Sequence, residues 1–245
     1  MPRANRHFLP SYVWHITHRC HKREFLLKFA RDRRRWRHWL FEARKRFGLR
    51  VLNYIVTSNH VHLLVRDRGK GEIARSMQLI AGRTGQEYNR RKGRQGAFWE
   101  DRYHASAVDG EAYLARCLTY IDLNMVRAGV IAHPRDWADS GYRELIDPPK
   151  RYKVVDVPAL LELLEVRSIA ELQAARSRWI AAELSAGTAR REAAWSGSLA
   201  VGSEAFVAAF HRQLGAPARY RKVIGLGDIH CLREPLGRYN IAFDT

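Results

Sequence analysis

Two apolar runs, Leu49 to Thr57 and Leu63 to Val65, lie almost end to end, with Ser58-Asn59 and His60-Val61-His62 between them, and they constrain this chain more than any other feature. Ser-Asn is good turn chemistry, so residues 49–57 and 60–65 read as two strands paired antiparallel. Successive side chains of a strand alternate faces. His60 and His62 therefore project side by side, a ready pair of metal ligands, while Val61 points the other way into the packed side of the sheet. A His-X-His in a basic chain with 11 histidines also arises by chance, so the pair needs support from elsewhere.

The flanking pattern supplies a fold. Tyr12 to His18 alternates as a strand, and Phe29 to Phe47 carries Phe29, Trp36, Trp39, Leu40 and Phe47 at helical recurrence. Gly71 to Arg91 reads as a second helix, with Ile73, Met77, Ile80, Thr84 and Tyr88 on one side, then Phe98 to Val108 as a strand and Glu111 to Arg127 as a third helix ending at Gly129. The order βαββαβα predicts an α+β protein of the ferredoxin-like class, an antiparallel sheet with helices on one face. After Pro134 the character changes and Pro148-Pro149 interrupts it. Residues 157–164, 169–184 and 203–214 read as helices, so the expected division is a catalytic domain over 1–147 and a mainly helical extension over 148–245.

Charge points to the partner. Lys and Arg number 43 against 25 Asp and Glu, a net +18, which favours a polyanion. The excess gathers in residues 31–37, 44–46 and 90–94. The residues expected to meet a nucleic-acid strand are Arg33, Arg34, Arg35, Arg90, Arg91, Lys92, Arg94, Trp99 and Arg102, with Trp36, Trp39, Tyr88, Phe98 and Trp99 interleaved for base stacking. Cys20, Cys117 and Cys231 are odd in number and widely spaced, which suits a reducing cytoplasm. No stretch is apolar enough for a signal peptide or membrane span, so a cytoplasmic protein with no membrane partner is expected.

The third helix adds chemistry. Tyr120 and Asn124 are four residues apart and share a helical face. A hard cation such as Mg²⁺ or Mn²⁺ accepts imidazole nitrogen and carboxamide oxygen together with phosphate oxygens and water. Two His and one Asn would leave that site open, and Tyr120 could then attack the phosphorus in line and expel a sugar 3′-oxygen. A phenol, with a pKa near 10, leaves more easily than an alkoxide, so the link can be reversed without external energy.

These residues resemble the HUH-type single-strand DNA transposases with one catalytic tyrosine, most closely the REP-associated tyrosine transposases. The matching segments are Val13-Trp-His-Ile-Thr-His-Arg19, Tyr54 to Val65, Gly96-Ala-Phe-Trp-Glu-Asp-Arg-Tyr103, and Tyr113 through Tyr120-Ile-Asp-Leu-Asn-Met-Val-Arg-Ala-Gly129. The resemblance implies His60 and His62 as metal ligands, Asn124 as the third, Tyr120 as the nucleophile, and single-stranded or hairpin DNA as substrate. It also allows a homodimer in which one subunit lends its tyrosine to the other's histidines. Relatives carry Pro where this chain has Met125, and a Trp-Ser-Ser run where it has Ala138-Asp-Ser-Gly141. Neither departure removes a catalytic atom.

Rival readings remain at this level. Tyr103 next to His104 is a second candidate nucleophile. His15, His18 and His21 would scatter over both faces of a strand, which favours packing or phosphate contact over metal binding. The main alternatives are a catalytically inert nucleic-acid-binding module on the same sheet, and a rolling-circle initiator or relaxase sharing the chemistry.

Overall fold

Strands β1 (Val13–Arg19), β2 (Arg50–Val56), β3 (His60–Arg66) and β4 (His104–Val108) form where the alternation predicts, and helices α1 (Ala30–Phe47), α2 (Glu72–Lys92) and α3 (Glu111–Asp122) fall between and after them. This computed structural model describes residues 9–187, 192 and 194–233. The four strands lie in the order β2-β3-β1-β4, every neighbouring pair antiparallel, which is the expected ferredoxin-like arrangement. Gly48 and Gly93 end α1 and α2 in the left-handed conformation, at φ 71° and 59°, where a side chain would be strained. Strand β4 is shorter than expected. Phe98 and Trp99 lie before it, and Trp99 makes only an isolated bridge to Cys20.

The register sorts the two faces. Tyr54 pairs with Leu63 and its ring meets Trp36 of α1 at 6.5 Å, so Val61, Leu63 and Val65 face the α1–α2 layer. His62 pairs with Thr17, and Leu64 pairs with both His15 and Asn53, which places His15, Asn53 and His62 on the opposite face. There α3 packs, through the amide nitrogen of Asn53 donating to Asp122 at 2.8 Å. The expectation of helices on one face is thus corrected. Asp122 is polar and 2% exposed, and it finds its buried partner only on the far side of the sheet.

The C-terminal part is helical as expected but also adds strands. Following α3 are α4 (Asn124–Arg127), α5 (Gly141–Ile146), α6 (Val157–Leu163), α7 (Ile169–Ser185), α8 (Ala194–Gly197) and α9 (Glu204–Leu214). Asp156, Ser168 and Ser203 accept hydrogen bonds from the first-turn backbone of α6, α7 and α9, ordinary capping chemistry. Three further strands, β5 (Ala200–Gly202), β6 (Lys222–Leu226) and β7 (Ile229–Arg233), extend the sheet to seven in the order β2-β3-β1-β4-β5-β7-β6. β5 runs parallel to β4 and antiparallel to β7. Gly227, at φ 64°, turns β6 into β7. No helix among the described residues is long and apolar enough to cross a membrane.

Candidate active site

His60 and His62 point from the same face of β3, their rings 5.0 Å apart and nearly perpendicular. His60 Nδ1 lies 2.8 Å from Asn59 Oδ1 and 3.0 Å from Thr57 Oγ1. An Nδ1–H donated to Asn59 puts the His60 lone pair on Nε2. His62 Nδ1 lies 2.8 Å from His15 Nε2, and the two rings stack at 5.0 Å. With that contact donated from His62, its Nε2 presents a lone pair to the Asn124 amide, whose nitrogen is 3.0 Å away.

The third helix does not run unbroken to Arg127. It ends at Asp122, Leu123 takes φ −80° and ψ 4°, and Asn124 opens the short α4. Tyr120 and Asn124 still face the sheet together. The Tyr120 ring is 5.9 Å from that of His62, 6.1 Å from His15 and 6.0 Å from Trp195, all centre to centre. Arg127 stacks its guanidinium 4.2 Å over the phenol ring and donates to the Tyr120 carbonyl. Only 6% of Tyr120 is exposed, yet it borders a cavity of about 340 Å³ whose walls include Arg116, Arg127, Glu183 and Glu192. Its surroundings are therefore a cavity in which charged groups stand beside Leu123, Trp179 and several alanines on one side, and imidazole and indole rings on the other.

The donor set fits a hard cation. Two ligands at right angles on an octahedral ion, each about 2.1 Å from it, are about 3.0 Å apart, the separation seen between His62 Nε2 and the Asn124 amide. Rotating the amide end for end presents its oxygen instead of its nitrogen. Among the described residues no three His, Cys, Asp or Glu side chains gather as a metal-binding group, so any such site here depends on the carboxamide.

Burial keeps both inner imidazoles neutral, as ligand chemistry requires. It pushes His62 well below the usual histidine value, with repulsion from His60 and His15 adding to it, and takes His15 to about 3, with His104 adding repulsion. A depressed folded value means that the unfolded chain binds protons the native one refuses, so stability is fully present above about pH 6.5 and is lost below it. At pH 5 His15 alone costs about 2 kcal/mol relative to neutral pH. Urea unfolding at pH 7.5 and pH 5 should show that loss, and His15→Leu should shrink it; equal stability at both pH values would refute neutral burial.

The remaining sequence candidates separate. Tyr103 packs edge-on against His18 at 6.2 Å, and His18 pairs with Val61 on the α1–α2 face, away from His62. Arg33 is held by Asp139 at 2.6 Å and by the carbonyls of Leu27 and Lys28. Arg35 pairs with Glu87 at 2.7 Å and Arg91 with Asp32. Arg94 donates to the Ala97 carbonyl at 2.9 Å. Arg34, Arg90, Lys92 and Arg102 are exposed, and Arg34, Arg35, Arg90 and Arg91 border a cleft of about 630 Å³ between α1 and α2. Of the aromatics expected to stack bases, Trp36, Trp39 and Phe98 are buried, and half-buried Trp99 is stacked 4.0 Å from His18. They belong to the core because their helical and strand positions point inward.

Three neighbours of the site have no site role in the sequence: Arg127 and Arg176 carry no expectation at all, and His15 only one of packing or phosphate contact. His15 is brought to His62 by the β1–β3 register, which makes them diagonal cross-strand neighbours. Arg127 lies seven residues, two helical turns, beyond Tyr120, a spacing that could have flagged it. Arg176 of α7 pairs with Asp122, both 1% exposed in their side chains, and nothing in the sequence links them.

Residues 9–124 match the family described as "Transposase IS200 like". Among solved structures, a REP-associated tyrosine transposase bound to a REP hairpin is similar at 18% identity and TM-score 0.50, over 64% of this chain and 94% of its own. A candidate transposase from Deinococcus radiodurans R1 matches at 16% identity and TM-score 0.35, over 49% of this chain and 95% of its own. No curated protein matches significantly. The segment that contains both histidines, the phenol and, at its last position, the carboxamide, residues 9–124, is the part of the chain that matches the IS200-like transposase family.

Proposed function

We propose that the protein is a DNA strand transferase that cleaves and rejoins single-stranded, hairpin- or repeat-associated DNA through a 5′-phosphotyrosine on Tyr120. The observation that carries this reading is the convergence of His62, the Asn124 amide and the Tyr120 ring on one face of β3 within a single chain. The match of residues 9–124 to the IS200-like transposase family supports the reaction class, and the likeness of fold to a transposase bound to a REP hairpin supports hairpin DNA as the substrate.

In this reading Tyr120 Oη attacks the scissile phosphorus. The P–O3′ bond breaks, a P–Oη bond forms, and the phenol proton ends on the departing 3′-oxygen. An incoming 3′-hydroxyl reverses the step. Arg127, stacked on the phenol, stabilises negative charge developing there. His15 holds the His62 ring in the orientation that presents Nε2. A Mg²⁺ or Mn²⁺ ion held by His60, His62 and Asn124 would neutralise charge on the phosphate under attack. Both phenol and imidazoles come from the same chain, so the site works in cis in this reading, with no second subunit needed to complete it.

Chelation of divalent cations, or His62→Ala, is expected to slow adduct formation on labelled hairpin DNA by roughly two orders of magnitude or more, while gel-shift affinity for the hairpin persists. An inert binding module predicts no adduct in any lane. An adduct forming at the wild-type rate under chelation would overturn the cation assignment.

A further inference from the structure

Two large aromatic rings stand out in water near the turn that leads into β3. Phe25 is 66% and Phe29 57% exposed, in a loop whose adjacent Leu26 and Leu27 are buried. That loop is not slack. The Leu27 amide donates to the Ser58 carbonyl at 2.9 Å, the Cys20 amide to Asn59 at 2.8 Å, and the Asn59 side chain to the Arg23 carbonyl at 3.2 Å. Arg33 clamps its other side through the Leu27 and Lys28 carbonyls. The phenyl rings are thus held outward by a rigid backbone tied to the turn that carries His60.

Their surroundings are cationic. Lys22, Arg23, Lys28 and Arg31 are exposed around them, and Lys92 lies 5.6 Å over the Phe29 ring. Glu24, the one acid in the loop, faces Arg94 at 3.6 Å. Exposed aromatics set among cations are what unpaired nucleotides need, since every base has a face to stack and every link a phosphate to neutralise. A duplex keeps its bases stacked on one another and offers the rings nothing.

We propose that Phe25 and Phe29 form a stacking platform for unpaired bases of the single-stranded DNA that runs to the His60–His62 site. This rests on the DNA-transferase reading above but adds a binding surface to it. Of the interleaved tryptophans suggested by the sequence, Trp36 and Trp39 are buried and Trp99 is stacked on His18; the stacking role passes to these two phenylalanines, which lie outside every helix and strand.

The test uses the full chain and a hairpin bearing an unpaired flank with 2-aminopurine, against the same hairpin without the flank. The platform predicts quenching of the fluorophore on binding, and a loss of affinity for the flanked hairpin of roughly 5- to 150-fold for each of Phe25→Ala and Phe29→Ala. Affinity for the unflanked hairpin changes less than twofold, and Phe25→Trp restores quenching. Equal losses on both DNAs, unchanged affinity for the flanked hairpin, or a shift from dimer to monomer by light scattering instead of a DNA effect would overturn the platform. If the wild type forms a phosphotyrosine adduct while these variants bind the flank normally, the platform alone falls. If the wild type neither binds the DNA nor forms an adduct, both fall.

Discussion

Tyr120→Phe is expected to abolish the covalent DNA adduct, lowering it by about four orders of magnitude or more, while the protein folds and binds hairpin DNA as before. The substitution removes one oxygen and leaves the ring. Its contacts with His62, His15 and Trp195 and the guanidinium of Arg127 are made through that ring, so packing survives. The parallel variant Tyr103→Phe should keep full adduct formation, because that ring lies with His18 on the other face of the sheet. Denaturing gels of labelled hairpin with each variant distinguish the two. An adduct that persists in Tyr120→Phe would remove the proposed nucleophile and with it the phosphotyrosine reading.

Arg176→Met should be the most destabilising single change outside the core apolar residues. Asp122 accepts from Asn53 and Arg176 in a place where neither charge reaches water. Removing one partner strands the other, a loss of about 3–5 kcal/mol, which is a large share of the roughly 5–15 kcal/mol that holds a protein folded. Burial already pushes the Asp122 carboxyl up, against the opposing pull of Arg176. Without the guanidinium the carboxyl is freer to take a proton in the native state, so acid relieves the penalty. The deficit of the variant relative to wild type, read by urea unfolding, is therefore expected to be smaller at pH 5 than at pH 8. Adding Asp122→Asn should recover part of the loss at pH 8. A deficit below about 1 kcal/mol would show that the pair contributes little.

The four-stranded heart of the fold was legible because its strands alternate and its helices recur at their own period, and because Ser58-Asn59 and the terminal glycines mark the boundaries. The order of elements pointed to the ferredoxin-like class, and the sheet order β2-β3-β1-β4 is what the structure adds. The added strands were not legible for separate reasons. β5 has three residues, too few to show alternation. The β6–β7 hairpin did carry a cue, Gly227-Asp228 between two apolar runs, but those runs are short and directly follow the basic Arg219-Tyr-Arg-Lys222. The placement of α3 across the sheet from α1 and α2 depends on Asp122 and Arg176, 54 residues apart, a pairing only the folded chain reveals. In the site, His60 and His62 follow from strand alternation, and Tyr120 and Asn124 from a four-residue spacing that still brings them together although the helix breaks at Leu123. His15 and Arg127 needed strand register and a helix break, and the basic runs looked uniform in sequence although many of their arginines are taken up by carboxylates and carbonyls.

The outer margin of β4 has a final consequence. Its amides at Ala107 and Asp109 already donate to the carbonyls of Leu199 and Val201, and on the far side of the sheet β2 is bridged at Val51 and Ile55 by Val155 and Ser140. A bare four-stranded unit would offer both rims for ribbon-to-ribbon joining. Here later parts of the chain have sealed one and stitched the other, so the rims next to the histidines are occupied, and among the described residues the sheet ends at β6, three strands beyond β4.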